Sequence, residues 1–364
     1  MDPSHGAPRH VRSITPYQPG KPITELAREL GLAPSGIIKL ASNENPLGMS
    51  PRAREAMVGC CNEIGRYPDG NGFELKAALS ARTGVGAERI VLGNGSNDVL
   101  DLAARAFLGP ETEAVYSQYA FAVYPLSTQA VGATGVAVPA SGYGHDLARM
   151  REAIGERTRV VFIANPNNPT GTFVEGDQLS AFLAEVPPQV LVVLDEAYTE
   201  YLDQHQRYDS LGWLDRFPNL LVTRTFSKAY GLAGLRVGYG LGSPEVIDLM
   251  NRVRQPFNVS LVGLAAATAA LADEEFILRS ADLNRRGMAQ LLAAFDAIGL
   301  DWIPSAGNFV TVRVRDAAGV NRRLLEHGVI VRPIGGYGLT DWLRVSIGLP
   351  EENEAFIGAL ERAL

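Results

Sequence analysis

The sequence predicts an α/β fold: a large domain with a mostly parallel, seven-stranded-type sheet flanked by helices, plus a smaller α+β domain. Three observations carry that prediction. Short, almost wholly apolar runs recur at 159–164, 190–194 and 220–226, and strands apolar on both faces belong to sheets covered on each side. Helical segments alternate with them, as in repeated strand–helix–strand units. From about Pro244 the pattern changes to long helices and a compact end piece. A chain of 364 residues suits two domains of unequal size better than one small core.

Composition narrows the function classes. Hydrophobic content of 46% with 20% charged residues is ordinary for a soluble globular enzyme. The net charge of −7 argues against a nucleic-acid or anionic-membrane partner, so any anionic ligand must be met by local arginines. The two cysteines, Cys60 and Cys61, are adjacent and make a poor structural crosslink, so a disulfide-stapled secreted protein is not expected. The first twelve residues lack the apolar run of a secretory signal. The alanine-rich run at 261–271 is far short of a membrane span. The expected location is therefore cytoplasmic. His5, His10, His145, His205 and His327 are scattered without ligand spacing, and no metal site is expected.

In chain order, residues 1–12 read as a disordered tail and 13–45 as an N-terminal arm contributing to the small domain. The arm holds a helix at 23–30 closed by Gly31, and a short strand running into the turn Ser42-Asn43-Glu44-Asn45-Pro46. Residues 46–250 form the large domain. It starts with a helix at 51–61, the loop Arg66-Tyr67-Pro68-Asp69-Gly70-Asn71-Gly72 and an amphipathic helix at 73–83. A strand at 89–92 then passes through Gly93-Asn94-Gly95-Ser96-Asn97 into a helix at 98–108. Strand, glycine turn and helix N-terminus together make an anion site. The loop fits neither the dinucleotide nor the nucleoside-triphosphate spacing.

Strands at 114–116 and 134–139 and helices within 119–131 and at 147–154 continue the alternation. The strand at 159–164 ends in Asn165-Pro166-Asn167-Asn168-Pro169-Thr170-Gly171, and after a helix at 177–186 the strand at 190–194 ends in Asp195-Glu196-Ala197-Tyr198. The strand at 220–226 delivers Ser227 and Lys228 to a glycine-rich turn, with Arg236 eight residues after the lysine and a strand at 237–241. Helices at 245–254 and 261–297 lead into the small C-terminal domain, 251–364, which has a long connecting helix. Strands at 309–314, 329–332 and 343–347 and helices at 321–327 and 352–364 complete it.

In open parallel sheets the ligand sits outside the carboxyl ends of the strands. That rule gathers residues 95–97, Asn168, Asp195, Tyr198 and Lys228 into one place. One chemistry that needs such a set is a lysine forming a Schiff base with an aldehyde cofactor that carries a phosphate. Arg236 as a planar fork, with the hydroxyls of Thr225 and Ser227, would hold the phosphate. A lysine at the end of an apolar strand has a lowered pKa and is the better nucleophile. Asp195 at a buried strand end is costly unless paired, and a protonated pyridine nitrogen is such a partner. Asn168 and Tyr198 suit the ring hydroxyl, and Tyr119, in the turn after its strand, suits stacking on the ring face. Together these describe a site for pyridoxal 5'-phosphate.

The segments Asn167-Asn168-Pro169-Thr170-Gly171, Asp195-Glu196-Ala197-Tyr198 and Ser227-Lys228 followed by Arg236 resemble the aspartate-aminotransferase-like, fold-type I family of pyridoxal-phosphate enzymes. Within it, residues 11–17, Ala41-Ser42-Asn43-Glu44-Asn45-Pro46 and Arg66-Tyr67-Pro68 are similar to the histidinol-phosphate aminotransferase branch. The likeness covers nearly all the chain from Val11 onward. It implies that Lys228 is the Schiff-base lysine and proton shuttle, Asp195 the pyridinium partner, and Asn168 and Tyr198 the ring-oxygen ligands. Ser96, Asn97, Thr225, Ser227 and Arg236 would hold the phosphate, with Tyr67 reaching across from the second subunit of a homodimer. Arg344 matches the arginine that binds an α-carboxylate, Arg332 and Tyr17 help bind a substrate phosphate, and Asn43 and Asn308 lie at the substrate edge. The implied reaction is transamination between L-histidinol phosphate and 2-oxoglutarate, in histidine biosynthesis. In the biosynthetic direction it starts from imidazole acetol phosphate and L-glutamate.

Three rivals remain open at this stage. An aromatic amino-acid aminotransferase would carry the same Lys228 and Asp195. A decarboxylase acting on threonine phosphate shares much of the scaffold. A non-catalytic domain of a regulator is ranked last, because only about ten residues precede Val11. The segment Gly335-Gly336-Tyr337-Gly338 reads as a mobile loop that bears on substrate choice.

Overall fold

The computed structural model describes residues 2–364; Met1, the first residue of the expected tail, lies outside them. The rest of that tail departs from the expectation of disorder. Asp2 accepts a hydrogen bond from Ser4 N at 2.9 Å and starts a 3-10 turn, Pro3–Gly6, and a helical turn, α1, follows at Arg9–Arg12. Gln129 Nε2 ties the segment down, donating to His10 O at 3.3 Å and to Ser13 Oγ at 3.0 Å. Composition alone hides such local caps.

The arm contains α2 (Ile23–Leu30), ended by Gly31 in the left-handed region at φ 66°, and β1 (Ile38–Lys39). Strand β1 pairs in parallel with residues 329 and 330, so the arm is woven into the C-terminal part of the chain. Helix α3 (Pro51–Gly59) starts at Ser50, whose hydroxyl accepts from Ala53 N at 3.0 Å, and α4 is Phe73–Thr83.

The central sheet follows. Its elements are β2 (Ile90–Gly93), α5 (Ser96–Phe107), β3 (Glu113–Ser117), α6 (Val123–Ala130), β4 (Thr134–Val138), α7 (Leu147–Glu152) and β5 (Thr158–Ala164). Next come α8 (Gly176–Glu185), β6 (Leu191–Asp195), β7 (Leu220–Thr225) and β8 (Gly238–Leu241). The seven strands are ordered β2-β8-β7-β6-β5-β3-β4. Neighbours from β4 through to β7 are parallel, whereas β8 runs antiparallel to both β7 and β2. The reversal has a simple cause: the connection from β7 to β8, residues 226–237, carries only a 3-10 turn, Ala233–Leu235, and no crossover α-helix, which suits an antiparallel pair.

Alternation of side chains along each strand feeds two cores, one on each face of the sheet. Val161, Ile163, Val192, Leu194, Leu220 and Val222 enter one, and Val160, Phe162, Leu191, Val193 and Leu221 the other.

The remaining elements are α9 (Pro244–Val253), α10 (Leu261–Leu271), α11 (Glu274–Ile298), β9 (Trp302–Ile303), β10 (Phe309–Arg313) and α12 (Ala317–Glu326). They end with β11 (Val329–Ile330), β12 (Arg332–Pro333), β13 (Trp342–Ser346) and α13 (Pro350–Ala363). The helix expected over 261–297 is two helices. Asp273 accepts from Phe276 N at 3.2 Å and so begins a new helix two residues after α10 ends. The strand expected at 329–332 also divides, β11 pairing with β1 and β12 with β13 in the antiparallel sheet β12-β13-β10-β9. A separate core built on Leu291, Phe295, Val310, Leu343 and Phe356 fills this unit. Among the described residues, no helix is long and apolar enough to cross a membrane.

Candidate active site

The carboxyl ends of β5, β6 and β7 and the start of α5 face β12 and β13 across a cavity of about 190 Å3. From the large sheet side it is lined by Ser96, Asn97, Asn168, Asp195, Tyr198, Thr225, Ser227, Lys228 and Arg236; from the other side come Tyr17, Asn43, Arg332 and Arg344. A larger open groove of about 860 Å3 runs past His145, Glu175 and Ser305. The one arginine lining it, Arg151, is paired with Glu185 at 3.0 Å, and among the described residues no set of strand ends converges there. The smaller cavity is the candidate site.

Lys228 owes its position to the turn after β7. Phe226 N donates to Val237 O at 3.0 Å and Gly231 N to Lys228 O at 2.9 Å. Gly231 has φ 68°, and a side chain there would collide with the carbonyl of Gly48, so only glycine suits the position. Asn45 holds the turn from outside, its Nδ2 donating to Ala229 O and to Ser280 Oγ, both at 2.8 Å. Lys228 Nζ donates to Ser42 O at 3.1 Å. Burial first, then the positive charge of Arg344, draws its pKa down to about 7. A neutral amine is thus populated near physiological pH, as a nucleophile or base requires.

Next to the lysine is a cradle of donors. Helix α5 begins at Ser96, and Ser96 and Asn97 line the cavity, so the N-terminus of the helix, with the positive end of its dipole, lies at the cavity wall. A side chain on Gly95 would overlap the Arg236 guanidinium, and one on Gly238 would overlap the backbone of Ser96. Glycine at these two positions lets arginine, helix start and β8 close on one another. Arg236 Nη1 donates to Ala233 O at 3.0 Å and lies 3.4 Å from Ser227 Oγ. Ser227 N donates to Thr225 Oγ1 at 3.1 Å. One fixed guanidinium, three hydroxyls and a helix N-terminus are the donor set of a phosphate monoester site.

The floor is Asp195, only 5% exposed. Tyr124 OH donates to its Oδ2 at 2.8 Å and Thr223 Oγ1 to its Oδ1 at 3.1 Å. Burial pushes its pKa up to about 6, against the pull of those two hydrogen bonds. A cation such as a protonated pyridine nitrogen would resolve that tension. Beside it, Asn168 Oδ1 accepts from Arg344 Nη1 at 2.6 Å, while Arg344 Nη2 donates to Ala41 O at 2.8 Å. Arg344 Nε is buried without a partner, one donor left for an anion. Tyr198 OH accepts from Asn43 Nδ2 at 3.0 Å, and burial raises its pKa to about 12, so the phenol keeps a proton to donate. Asn43 itself sits at φ 54°, held by its N–H to Ser346 Oγ at 2.8 Å. Arg332 Nη2 donates to Gln18 O at 2.6 Å, and its guanidinium lies 5.3 Å over the Tyr17 ring.

Two expected site residues are placed elsewhere. Tyr119 is absent from the cavity wall: its ring packs near Tyr143, with centroids 6.1 Å apart. Phe121 lines the cavity instead, because β3 ends at Ser117 and the turn before α6 brings residue 121 inward. Asn308 stands one layer back, its Nδ2 donating to Asn43 O at 3.0 Å, and so supports the Asn43 turn without lining the cavity. Tyr67, expected to act on the site of a second subunit, is 82% exposed, stacked on Phe257 with centroids 4.8 Å apart, and lies outside its own chain's cavity. The segment expected as a mobile loop forms a 3-10 turn, Gly335–Tyr337, that sets Tyr337 on the cavity wall. Tyr124 and Thr223 went unread in the sequence. For Thr223 a signal existed, a Thr-x-Thr pair on one face of an otherwise apolar strand; for Tyr124 there was none beyond its place in an amphipathic helix.

Comparison with known proteins agrees with this geometry. Residues 35–360 match the model of the family described as aminotransferase class I and II. The chain belongs to that family. This aminotransferase is 61% identical over 361 residues to histidinol-phosphate aminotransferase 1 of Cupriavidus pinatubonensis, covering 98% of this chain and 96% of the relative. It is 62% identical over 358 residues to histidinol-phosphate aminotransferase 1 of Thiobacillus denitrificans, covering 98% and 93%. Among solved structures it superposes on histidinol-phosphate aminotransferase from Sinorhizobium meliloti in complex with pyridoxal-5'-phosphate, at a TM-score of 0.89 and 29% identity, covering 98% and 96%. The aminotransferase cavity fits that cofactor on its own terms, with the donor cradle at one end, the destabilised Asp195 carboxylate at the other and Lys228 between them.

Proposed function

We propose that this aminotransferase exchanges the amino group between L-histidinol phosphate and 2-oxoglutarate, working in histidine biosynthesis from imidazole acetol phosphate and L-glutamate. The observation that carries the reading is the pairing of Arg332 and Arg344 directly opposite each other across β12 and β13, both on the wall that faces Lys228. Like charges face to face are unfavourable by themselves. They suit a site that must accept a phosphate ester and a dicarboxylate by turns.

Pyridoxal 5'-phosphate, when bound, supplies a carbonyl that carries the amino group and a ring that takes up electron density. Ser96, Asn97, Thr225, Ser227 and Arg236 would hold its phosphate, Asp195 would hold a proton on its ring nitrogen, and Asn168 and Tyr198 would bond its ring oxygen. Phe121 would lie against the ring face. The Lys228 amine would take the proton from the substrate carbon that bears nitrogen and return one during product formation. Arg344 and Arg332, with Tyr17, would orient the anionic end of each substrate so that the carbon to be deprotonated faces the amine.

The same reading makes the enzyme a cytoplasmic homodimer. Tyr67 and Phe257 stack on each other while exposed to 82% and 45%, and Phe73 is exposed to 75%, and exposed aromatic rings of that kind suit burial against a second copy. Tyr67 would then reach the neighbouring cradle. Sedimentation of the cofactor-loaded protein tests this; a monomer at assay concentration would refute it.

The substrate is tested by supplying histidinol phosphate or phenylalanine with 2-oxoglutarate and measuring glutamate release. Faster turnover of histidinol phosphate is expected. Preference for phenylalanine would make the enzyme an aromatic aminotransferase, and carbon dioxide release from threonine phosphate would make it a decarboxylase.

A further inference from the structure

Behind the strand ends that carry the cavity, a buried polar array runs across four strands. We infer that the pair at its centre, Glu196 and Arg224, is a positioning element that sets the distance between the Asp195 end and the Lys228 end of the active site. The inference rests on the function proposed above and adds residues to it that do not line the cavity.

Asp195 and Glu196 are consecutive at the end of β6, and Arg224 and Thr225 are consecutive at the end of β7. Successive side chains on a strand point to opposite faces. Asp195 and Thr225 therefore enter the cavity while Glu196 and Arg224 meet on the other side. Arg224 donates both Nε, at 3.0 Å, and Nη2, at 2.8 Å, to Glu196 Oε2. The Glu196 side chain is 1% exposed, and Glu196 N donates to Thr223 O at 2.8 Å, so backbone and side chain bind the same pair of strand ends.

The array extends to both sides. The Tyr208 phenol lies against the Glu196 carboxylate, which with burial holds the phenol proton in place. Tyr208 OH accepts from Asn165 Nδ2 at 3.1 Å, and Asn165 N donates to Asp195 O at 3.0 Å. On the far side, Tyr239 of β8 is the register partner of Arg224 and places its phenol at the guanidinium. Each strand in the array thus carries a site residue close by: Asn168 three positions from Asn165, Asp195 next to Glu196, Thr225 next to Arg224, and Arg236 three before Tyr239.

Stability alone is a weak reason for such a pair, since two apolar side chains of similar volume often serve a buried site as well or better. Its geometry points to registration. A planar fork on one carboxylate oxygen fixes how far β6 and β7 slide past each other. That slide changes the separation of the carboxylate that faces the ring nitrogen from the lysine at the ring's other end. Misplacement of reacting groups by about 1 Å costs on the order of 100-fold in rate.

Three variants of the cofactor-loaded enzyme test the inference: Glu196→Gln, Arg224→Lys, and the double variant Glu196→Leu with Arg224→Met. For each, the melting midpoint, kcat and the KM of both substrates are measured, and wild-type turnover in the same assay chooses the amino donor. A wild type that prefers phenylalanine corrects the substrate reading and leaves this test intact on that donor. The expected result is a fall in kcat of about 10- to 100-fold in both single variants, with KM within about twofold. The double variant regains the wild-type melting midpoint but not kcat. Recovery of kcat together with stability in the double variant, or single variants with wild-type kcat, would overturn the inference. If the double variant does not fold, Arg224→Lys decides, because it keeps the charge and loses the fork. Lowered kcat at an unchanged melting midpoint supports positioning, and kcat that changes only as far as stability does refutes it.

Discussion

The hydroxyl of Tyr124 lies 2.8 Å from Asp195 Oδ2 and donates to it from a ring stacked on Phe162, with centroids 4.8 Å apart and planes 5° from parallel. The stacking fixes the direction of the donated bond. The bond works against burial, which has pushed Asp195 up to about 6. An aspartate raised above its unfolded value lends the fold most stability below about pH 4 and loses that contribution as pH climbs through about 6. In the cofactor-free protein, Asp195→Asn should therefore raise stability at pH 8 by roughly 3 kcal/mol at most, with little gain at pH 4. The same change should weaken cofactor binding. Urea unfolding of the cofactor-free protein at the two pH values checks the first part. Tyr124→Phe should do the reverse of Asp195→Asn at pH 8, lowering stability by about 1–3 kcal/mol for an acceptor left unpaired.

Lys228 is displaced in the opposite sense, down to about 7 through burial and Arg344. A folded-state value below the unfolded one means the folded protein resists protonation, so stability rises with pH between about 7 and about 10 on account of this group. Lys228→Met should flatten that rise in the cofactor-free protein. Turnover should fall by about 100- to 10,000-fold or more, the share a general base supplies, while the cofactor still binds through its phosphate and ring contacts. Measured turnover within tenfold of wild type would remove Lys228 from the proton transfer.

Phe121 and Tyr119 offer a paired control two residues apart. Phe121 lines the cavity and Tyr119 does not. Phe121→Leu should weaken cofactor affinity by about 0.5–1.5 kcal/mol, the worth of aromatic stacking beyond area. Tyr119→Leu should leave affinity unchanged. Equilibrium dialysis of the two variants against pyridoxal phosphate separates them.

That pair also marks how far the sequence could be read. Asp195, Asn168 and Lys228 were legible because each is the polar stop at the end of an apolar strand, and strand ends of a parallel sheet share one edge. Phe121, Tyr124 and Thr223 were not, because their roles depend on the path of a turn and the roll of a helix, which no local pattern encodes. Asn308 resembled a substrate contact but braces Asn43 from behind, a distinction of one side-chain layer. The fold shows the same division. Element order and the seven-stranded sheet followed from alternation, whereas the start of α11 at Asp273 depended on one capping hydrogen bond inside a continuous helical pattern.

Arg332 and Arg344 should separate the two substrates. Arg344 is buried and bonded to Asn168 and Ala41, while Arg332 is partly exposed and bonded to Gln18. Every substrate of the proposed reaction brings an anionic group to this end, so Arg344→Ala should raise KM for glutamate and histidinol phosphate alike. A charge-assisted hydrogen bond is worth about 1.5–3 kcal/mol, or about 10- to 150-fold. Arg332, nearer the arm and Tyr17, should matter most for the more highly charged phosphate. Arg332→Ala is expected to raise KM for histidinol phosphate about 10-fold or more and that for glutamate by less than about threefold. Arg332→Lys should recover only part of the loss, because a point charge replaces a planar fork. Steady-state kinetics with each substrate varied in turn gives the four constants, and equal losses for both substrates in Arg332→Ala would detach that arginine from phosphate recognition.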